Sequence, residues 1–160
     1  MRTVDIRDYR EAQMINEYYD AVVSVIEGCD VDFGHPNHIV ERMGDYGKSY
    51  ITWASHDLEG VPKKEQFERI LKFVNTLPEN AKILVHCAAG ISRSTATGLG
   101  ILASEGWSDT QAVQHLLNKH PQDRAFWPND IILGHFDEIL GTNLEVAVRG
   151  KAHVGDLTTV

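Results

Sequence analysis

One stretch of the sequence constrains the fold more than any other: an apolar run that ends in a loop of small residues and restarts as a helix. Residues 82–95 read KILVHCAAGISRST. Residues 83–85 are β-favouring and uninterrupted, as in a strand that is buried on both faces. The small, uncharged residues 88–92 predict a tight loop, and Ser94 and Thr95 are candidate caps for the following helix. The stretch predicts a buried strand, a loop and a helix in succession.

The predicted loop has the properties of an anion site. A loop that ends at a helix N-terminus directs backbone N–H groups into one concavity, and the helix dipole adds partial positive charge there. Cys87 at the start of the loop lies in that field, which can lower a thiol pKa from about 8.5 to between roughly 3.5 and 7.5. Arg93 follows six positions later, and its planar guanidinium can hold two phosphoryl oxygens at once. These residues indicate a phosphate site with a cysteine nucleophile.

The sequence HCAAGISRS over residues 86–94 resembles the His-Cys-x5-Arg-Ser/Thr signature of the protein tyrosine phosphatase superfamily, and more closely its small dual-specificity branch. The resemblance implies a metal-independent phosphomonoesterase, with no cofactor, that forms a cysteinyl-phosphate on Cys87 while Arg93 holds the oxygens. It also implies that His86 orients the loop and tunes the thiol. Ser94 either donates a hydrogen bond to the sulfur or simply caps the helix. The phosphate would also be held by the loop residues Ala88, Ala89, Gly90, Ile91 and Ser92. The alternative is an ordinary buried cysteine with a surface arginine nearby.

Cleavage of a phosphate ester at neutral pH needs a proton donor for the leaving oxygen. Asp57 lies thirty positions before Cys87, on a loop predicted to follow a strand over residues 48–54. In the phosphatases that this chain resembles, the general acid lies on a loop at such a distance, so Asp57 is the predicted acid. An aspartate that merely precedes a helix is the alternative, and Glu59 is the nearest competitor for the role.

Other residues have weaker claims to a role in the site. Asn129 is similar in position to an asparagine that begins a helix beside the phosphate loop in these phosphatases, so it either supports the site or only caps the helix. Arg124 is a second anion contact or a solvated loop residue. His35 and His38 share a loop but lack the companion ligands of a metal site, so no metal is predicted. Cys29 is either a redox partner of Cys87 or inert, and the inert interpretation is favoured.

The rest of the chain alternates strands with helices, which predicts an α/β fold with a largely parallel sheet of four to five strands flanked by helices on both faces. Strands are predicted over residues 3–7, 21–26, 48–54 and 83–85, and helices over 9–18, 62–74, 95–103, 111–119 and 130–140. Residues 38–43 are interpreted as loop or short helix. Residues 142–160 are interpreted as a loose tail or an extra strand.

Size and charge exclude several classes of function. The 160 residues fit one domain, with 15 Lys and Arg against 23 Asp and Glu and a formal net charge of −8. This balance argues against nucleic acid or anionic membrane as partner. The N-terminal residues lack the apolar core of a signal peptide, and two cysteines do not make a disulfide framework, so a cytoplasmic location is predicted. The oligomeric state is left open.

The predicted partner is a phosphorylated protein or a small phosphomonoester. Phosphotyrosine is the leading candidate, with or without phosphoserine and phosphothreonine. Phosphoinositides are less favoured, because residues 88–92 contain no lysine to meet additional phosphates. Two other functions remain open: a non-catalytic phosphate-binding module on the same fold, and an arsenate reductase or sulfurtransferase that uses the same cysteine loop.

Overall fold

The computed structural model describes residues 1–51 and 58–158, with side chains described as far as residue 151. Its centre is a parallel sheet in the order β1-β4-β2-β3. The strands are β1 (Thr3–Arg7), β2 (Ala21–Val25), β3 (His38–Glu41) and β4 (Lys82–His86). The helices are α1 (Tyr9–Ile15), α2 (Lys48–Ile51), α3 (Lys64–Asn75), α4 (Arg93–Ser104), α5 (Asp109–Lys119), α6 (Asp130–Leu140) and α7 (Leu144–Thr158). The predicted α/β fold class is confirmed.

The sheet is covered on both faces, as predicted. On one face Ala12 of α1 packs with Val22 and Leu84. The other face carries the larger core, in which Val23 and Val85 of the sheet pack with side chains of α3, α4, α5 and α6. Because parallel strands end together at one edge, the central strand β4 delivers Cys87 to the edge where ligands bind in such sheets.

Helix α4 can lie close to the sheet because it contains glycine where a side chain would collide. A Cβ at Gly98 would stand 2.7 Å from Ile6 Cδ1 on β1. Gly100 serves a different contact, since a Cβ there would collide with the Phe136 ring of α6 and not with the sheet. The two glycines therefore fix the position of the helix that begins at the phosphate loop.

Two predictions for the middle of the chain were wrong. Residues 48–51 form helix α2 and not a strand, because the Gly47 carbonyl accepts from Tyr50 N at 3.1 Å, and Lys48 N donates to Asp130 Oδ1 at 2.9 Å. The remainder of that predicted strand, from residue 52, lies outside the described residues. Residues 38–41 form β3 and not a loop or helix, pairing in register with β2 from Val22 opposite His38.

The prediction for the C-terminal segment was also wrong. Helix α7 stands in place of the predicted loose tail or extra strand. Its first turn is capped from another helix: the Asp137 carboxylate of α6 accepts from Leu144 N at 2.7 Å and from Glu145 N at 3.1 Å. Across the described ranges, the structure contains no helix with the length and apolarity needed to cross a membrane.

Candidate active site

The phosphate loop, residues 87–92, connects β4 to α4, and its carbonyl groups accept hydrogen bonds from residues outside the loop. The Ala88 carbonyl accepts from Tyr9 N, that of Ile91 from Trp127 N, and that of Ser92 from Asn129 N, each at 3.1 Å. These carbonyls do not compete for the interior of the loop, and the Gly90 N–H points inward at Cys87 Sγ, as in an anion-binding concavity.

The helix after the loop starts earlier than predicted. Ser92 is its N-cap, so Ser94 and Thr95 do not cap it. The Thr95 hydroxyl donates back to the Ile91 carbonyl at 2.7 Å. The Ser94 hydroxyl is fully buried and lies 3.2 Å from Cys87 Sγ. The structure therefore favours the sulfur contact over the capping alternative for Ser94.

Cys87 lies on the floor of the loop with 2% of its surface exposed. Burial by itself opposes ionisation of the thiol, but four stabilising contacts outweigh it. Hydrogen bonds from the Ser94 hydroxyl and amide, the Arg93 charge and the Gly90 amide hold the pKa of Cys87 below its ordinary value. The Gly90 N–H donates to Sγ at 3.3 Å. These contacts stabilise the thiolate, which is the nucleophilic form of cysteine.

Arg93 folds back over the same loop. Its Nη1 donates to the Met43 carbonyl at 2.9 Å, which fixes the guanidinium plane. Its Nε is buried and has no hydrogen-bond partner among the described residues. A buried donor without an acceptor costs roughly 1–3 kcal/mol. The side chain is thus oriented by one contact and retains a donor that an anion could use.

Beneath the loop, His86 joins a row of polar groups that crosses three strands and is buried at His86 and Ser24. Its Nε2 lies 2.6 Å from Ser24 Oγ on β2, and the same Oγ lies 2.7 Å from His38 Nε2 on β3. Its Nδ1 lies 3.2 Å from the Cys87 carbonyl. Burial lowers the pKa of His86, so the imidazole is neutral near pH 7. His86 thus contacts the loop without being placed to act as a direct base.

Asn129 both caps a helix and supports the loop. Its Oδ1 accepts from Ile132 N at 3.0 Å at the start of α6. Its Nδ2 donates to Asp45 Oδ1 at 2.9 Å, and the Ser92 hydroxyl donates to that same oxygen at 2.7 Å. Asp45 was not predicted, since no spacing pattern links it to a loop that lies more than forty residues later. The two roles considered for Asn129 are both present in the geometry.

Known proteins support what this geometry indicates. No protein family model matches the chain. The tyrosine-protein phosphatase yvh1 of Schizosaccharomyces pombe is 41% identical over 54 residues, which are 32% of this chain and 16% of that protein. A probable rhodanese domain-containing dual specificity protein phosphatase of Dictyostelium discoideum is 33% identical over 75 residues, 42% of this chain and 16% of that protein. The matches span only 16% of the length of these relatives.

Solved structures agree on the fold. DUSP15 superimposes with a TM-score of 0.62 at 17% identity, covering 86% of this chain and 83% of that chain. The active form of Tk-PTP superimposes with a TM-score of 0.60 at 21% identity, covering 88% and 91%. In fold, and over the matched segments of sequence, this chain is similar to tyrosine and dual specificity protein phosphatases. These similarities agree with the resemblance of the loop sequence to the small dual-specificity phosphatases.

The other residues considered for a role in the site lie outside the loop or outside the described residues. Asp57 lies outside the described residues, so its place as general acid stays a prediction. Arg124 is neither a free anion contact nor solvated, because its Nη2 lies 3.1 Å from Asp8 Oδ2 and its Nη1 lies 3.1 Å from Glu11 Oε1. Both ring nitrogens of His35 are engaged by backbone groups. In the described part of the chain, no cluster of three or more His, Cys, Asp or Glu could hold a metal.

Proposed function

We propose that this protein hydrolyses phosphomonoesters through a cysteinyl-phosphate on Cys87, with phosphotyrosine, alone or together with phosphoserine and phosphothreonine, as the substrate group. The observation that carries the proposal is the pairing of Cys87 with Arg93 in one loop. The pKa of the thiol is lowered by Ser94, Arg93 and Gly90 against the effect of burial, and Arg93 Nε is a buried donor without a partner in the described residues. A phosphoryl group supplies both the electrophile and the missing acceptor.

In the first step, the Cys87 thiolate attacks phosphorus, so that the S–P bond forms as the bond to the ester oxygen breaks. Asp57 gives its proton to the leaving oxygen. Arg93 and the amides of residues 88–92 hold the three remaining oxygens, and a bidentate guanidinium holds them more tightly as they spread in the transition state. The chemistry needs no metal, because these donors meet the developing charge.

In the second step, water attacks the phosphorus and the S–P bond breaks. Asp57, now ionised, takes a proton from the water, and the sulfur leaves as thiolate. The Ser94 hydroxyl at 3.2 Å donates a hydrogen bond to that departing sulfur. Loss of the hydroxyl is therefore expected to slow breakdown of the intermediate more than its formation.

The substrate class is proposed from the loop and the relatives together. The relatives' names describe a tyrosine phosphatase and a dual specificity protein phosphatase. Residues 88–92 contain no charged side chain, so the loop offers one phosphate site and no lysine for a second phosphate. This favours a phosphorylated protein side chain over a phosphoinositide.

Access to the sulfur is the condition on which the mechanism depends, since Cys87 is 2% exposed. Alkylation by iodoacetate tests it directly, with Cys29→Ser as background so that only one thiol reacts. The expected result is stoichiometric modification of Cys87 with loss of activity, and protection by inorganic phosphate. A folded protein whose Cys87 resists alkylation contradicts the proposal.

Turnover of p-nitrophenyl phosphate and of phosphotyrosine peptides tests the function itself. Cys87→Ser should abolish turnover while retaining vanadate binding, and Cys29→Ser should turn over like the wild type. Wild-type turnover no higher than that of Cys87→Ser would assign the chain to non-catalytic phosphate binding. Arsenate-dependent thiol consumption that exceeds phosphatase activity would assign it to the reductases.

The general acid is tested by leaving-group dependence. Asp57→Asn should slow esters with poor leaving groups far more than activated aryl esters, because only the former need a proton at once. Glu59→Gln is the matched control and should affect both alike. A selective loss in the glutamate variant would move the role from Asp57 to Glu59.

A further inference from the structure

The row formed by half-buried His38 and by buried Ser24 and His86, here called the relay, has an assignable direction. A carbonyl oxygen only accepts, so His86 Nδ1 must carry the hydrogen that bonds the Cys87 carbonyl. Burial lowers the pKa of His86 and keeps the ring neutral near pH 7, so its Nε2 has no hydrogen and accepts from the Ser24 hydroxyl. Ser24 Oγ in turn accepts from His38 Nε2–H.

The sheet explains why these side chains meet. Ser24 stands opposite His86 in the β2–β4 ladder, and His38 stands opposite Val22 in the β2–β3 ladder, so all three project on the face that α1 covers. The Phe33 ring lies 5.5 Å from both imidazoles, between centroids, and is stacked on that of His38. The Ser24–His86 hydrogen bond of the relay is thus fully buried, and a hydrogen bond is stronger there than in water.

We propose that Ser24 and His38 are positioning residues that hold His86 in the tautomer donating to the Cys87 carbonyl, and that they thereby set the donor strength of the phosphate loop. The inference rests on the proposed function of that loop. A hydrogen bond to the Cys87 carbonyl polarises the peptide that joins Cys87 to Ala88, and the Ala88 N–H becomes a better donor to an anion in the loop. It also fixes the plane of the first peptide of the loop.

The opposite tautomer shows what the relay prevents. With its hydrogen on Nε2, His86 would direct the Nδ1 lone pair at the Cys87 carbonyl oxygen, and two acceptors would face each other in a buried site. Nothing within His86 itself excludes this form, since both neutral tautomers exist in proteins. The Ser24 hydroxyl excludes this tautomer by donating its hydrogen to His86 Nε2. His38 keeps the hydroxyl in that orientation, because its Nε2–H donates to the Ser24 oxygen.

Charged neighbours of the relay do not replace it. The groups that act electrostatically on His38 are His86, His35 and Asp32, and burial is the main cause that lowers its pKa to about 4. Asp8, at the start of α1, is the charged group that acts on His86. Neither carboxylate is hydrogen-bonded to a relay atom in the described structure. The tautomer is therefore set by the hydroxyl and not by an ion pair.

Long-range proton–nitrogen NMR spectra of the histidine rings test the assignment in the full chain without any substrate. At neutral pH, His86 should show a protonated Nδ1 and an unprotonated Nε2, and His38 should show a protonated Nε2. A charged His86, or one with its hydrogen on Nε2, would overturn the proposal. Because no turnover is measured, this result is independent of whether the protein is a phosphatase.

Variants then test the consequence for the loop, through the pH dependence of Cys87 alkylation in a Cys29→Ser background. Ser24→Ala should raise the midpoint by about half a pH unit, the size expected for loss of a fraction of one hydrogen bond. His38→Leu should shift it less in the same direction. His38→Gln keeps an amide N–H near the position of Nε2 and should restore the wild-type midpoint.

Ile39→Ala is the matched control, because Ile39 lies on the same strand and packs against the core on the other face of the sheet. It should lower stability and leave the midpoint unchanged. An unchanged midpoint in both Ser24→Ala and His38→Leu would overturn the proposal, as would a midpoint in His38→Gln equal to that of His38→Leu.

Discussion

The phosphate loop is held on two sides by different chemistry. Its sheet side consists of contacts from the strands and the start of α1: the Ser24–His86 hydrogen bond and the Arg7 backbone, which passes close to Gly90. Its rim side consists of the segment around Asp45 and the start of α6: Asp45 accepts from Ser92 and from Asn129. Buried neutral groups act on the first side, and an exposed carboxylate acts on the second.

This difference predicts how each side responds to substitution. Buried hydrogen bonds leave an unsatisfied group when one partner is removed, which costs roughly 1–3 kcal/mol. When an exposed carboxylate is removed, water takes over its hydrogen bonds, so the free-energy cost is smaller than that of a lost buried hydrogen bond. Arg93 is the exception on the rim side, because its guanidinium is partly buried and holds the substrate phosphate in the mechanism that we propose. The predictions below test this ranking.

Arg93→Lys should have the largest effect. Lysine keeps the charge but loses the planar pair of donors, so kcat/KM should fall by roughly 10²–10³-fold, as for loss of one oxyanion donor. The matched control is Arg69→Lys, since Arg69 is an exposed arginine of α3 that pairs with Glu41, and its substitution should change kcat/KM little. A kcat/KM for Arg93→Lys as high as that of the control would show that the charge suffices without the guanidinium geometry.

Gly90→Ala tests the sheet side and should have the next largest effect, a loss of free energy of unfolding. Gly90 has φ +70°, and a Cβ there would stand 3.0 Å from both Arg124 Nη1 and the Arg7 carbonyl carbon, and 3.1 Å from the Arg7 carbonyl oxygen. Gly141, with φ +68° and open space around it, is the matched control. Urea unfolding should show a loss of roughly 1–2 kcal/mol for Gly141→Ala, the left-handed backbone cost, and a larger loss for Gly90→Ala. Equal losses of stability would mean that the atoms around Gly90 shift to accommodate the Cβ without a measurable cost.

Asp45→Ala should have a smaller effect and tests the rim side. It removes the acceptor shared by Ser92 and Asn129, and kcat/KM should fall by about fivefold, equivalent to roughly 1 kcal/mol. Asp45→Asn can keep the Oδ1 acceptor, so its kcat/KM should fall less than that of Asp45→Ala. A loss as large as that of Arg93→Lys would show that the rim carboxylate has a direct part in the reaction.

The same two sides differ in how far the sequence reveals them. The strand, loop and helix around Cys87 are predictable because Ile83 to Arg93 contains every signal that forms them. Ser24 and Asp45 are not, because each meets the loop across a large sequence separation, with no fixed spacing. His38 was considered for a metal site and its strand was missed, because the four-residue β3 follows a loop rich in glycine, proline and histidine and is defined by its pairing with β2.

The wrong predictions for residues 48–51 and for helix α7 also have a cause in contacts between distant segments. Residues 48–51 carry β-favouring Tyr50 and Ile51, yet the Asp130 carboxylate of α6 binds Lys48 N and supports a helical turn. Helix α7 depends on a cap from Asp137 of the preceding helix. In both places tertiary contacts override local preference, and a sequence pattern read segment by segment contains neither contact.

The smallest predicted effect concerns the pH dependence of stability and isolates the sheet side. Burial, with the charges of His86 and His35, lowers the pKa of His38 from 6.5 to about 4. Between these values the unfolded chain binds more protons than the folded one, so the free energy of unfolding rises with pH across that window and falls as the pH drops through it. Because His38 is only half-buried, solvent screening limits the contribution to under about 1 kcal/mol.

His38→Gln keeps the hydrogen-bond donor but cannot titrate, so it separates the charge of His38 from its place in the relay. Urea unfolding at about pH 5 and about pH 7 should show a smaller difference between the two conditions for His38→Gln than for the wild type. Ile39→Ala, on the same strand and without a titrating group, should lower stability equally at both. If His38→Gln keeps the full wild-type difference, then protonation on the sheet side occurs at another group, and His86 becomes the group to test.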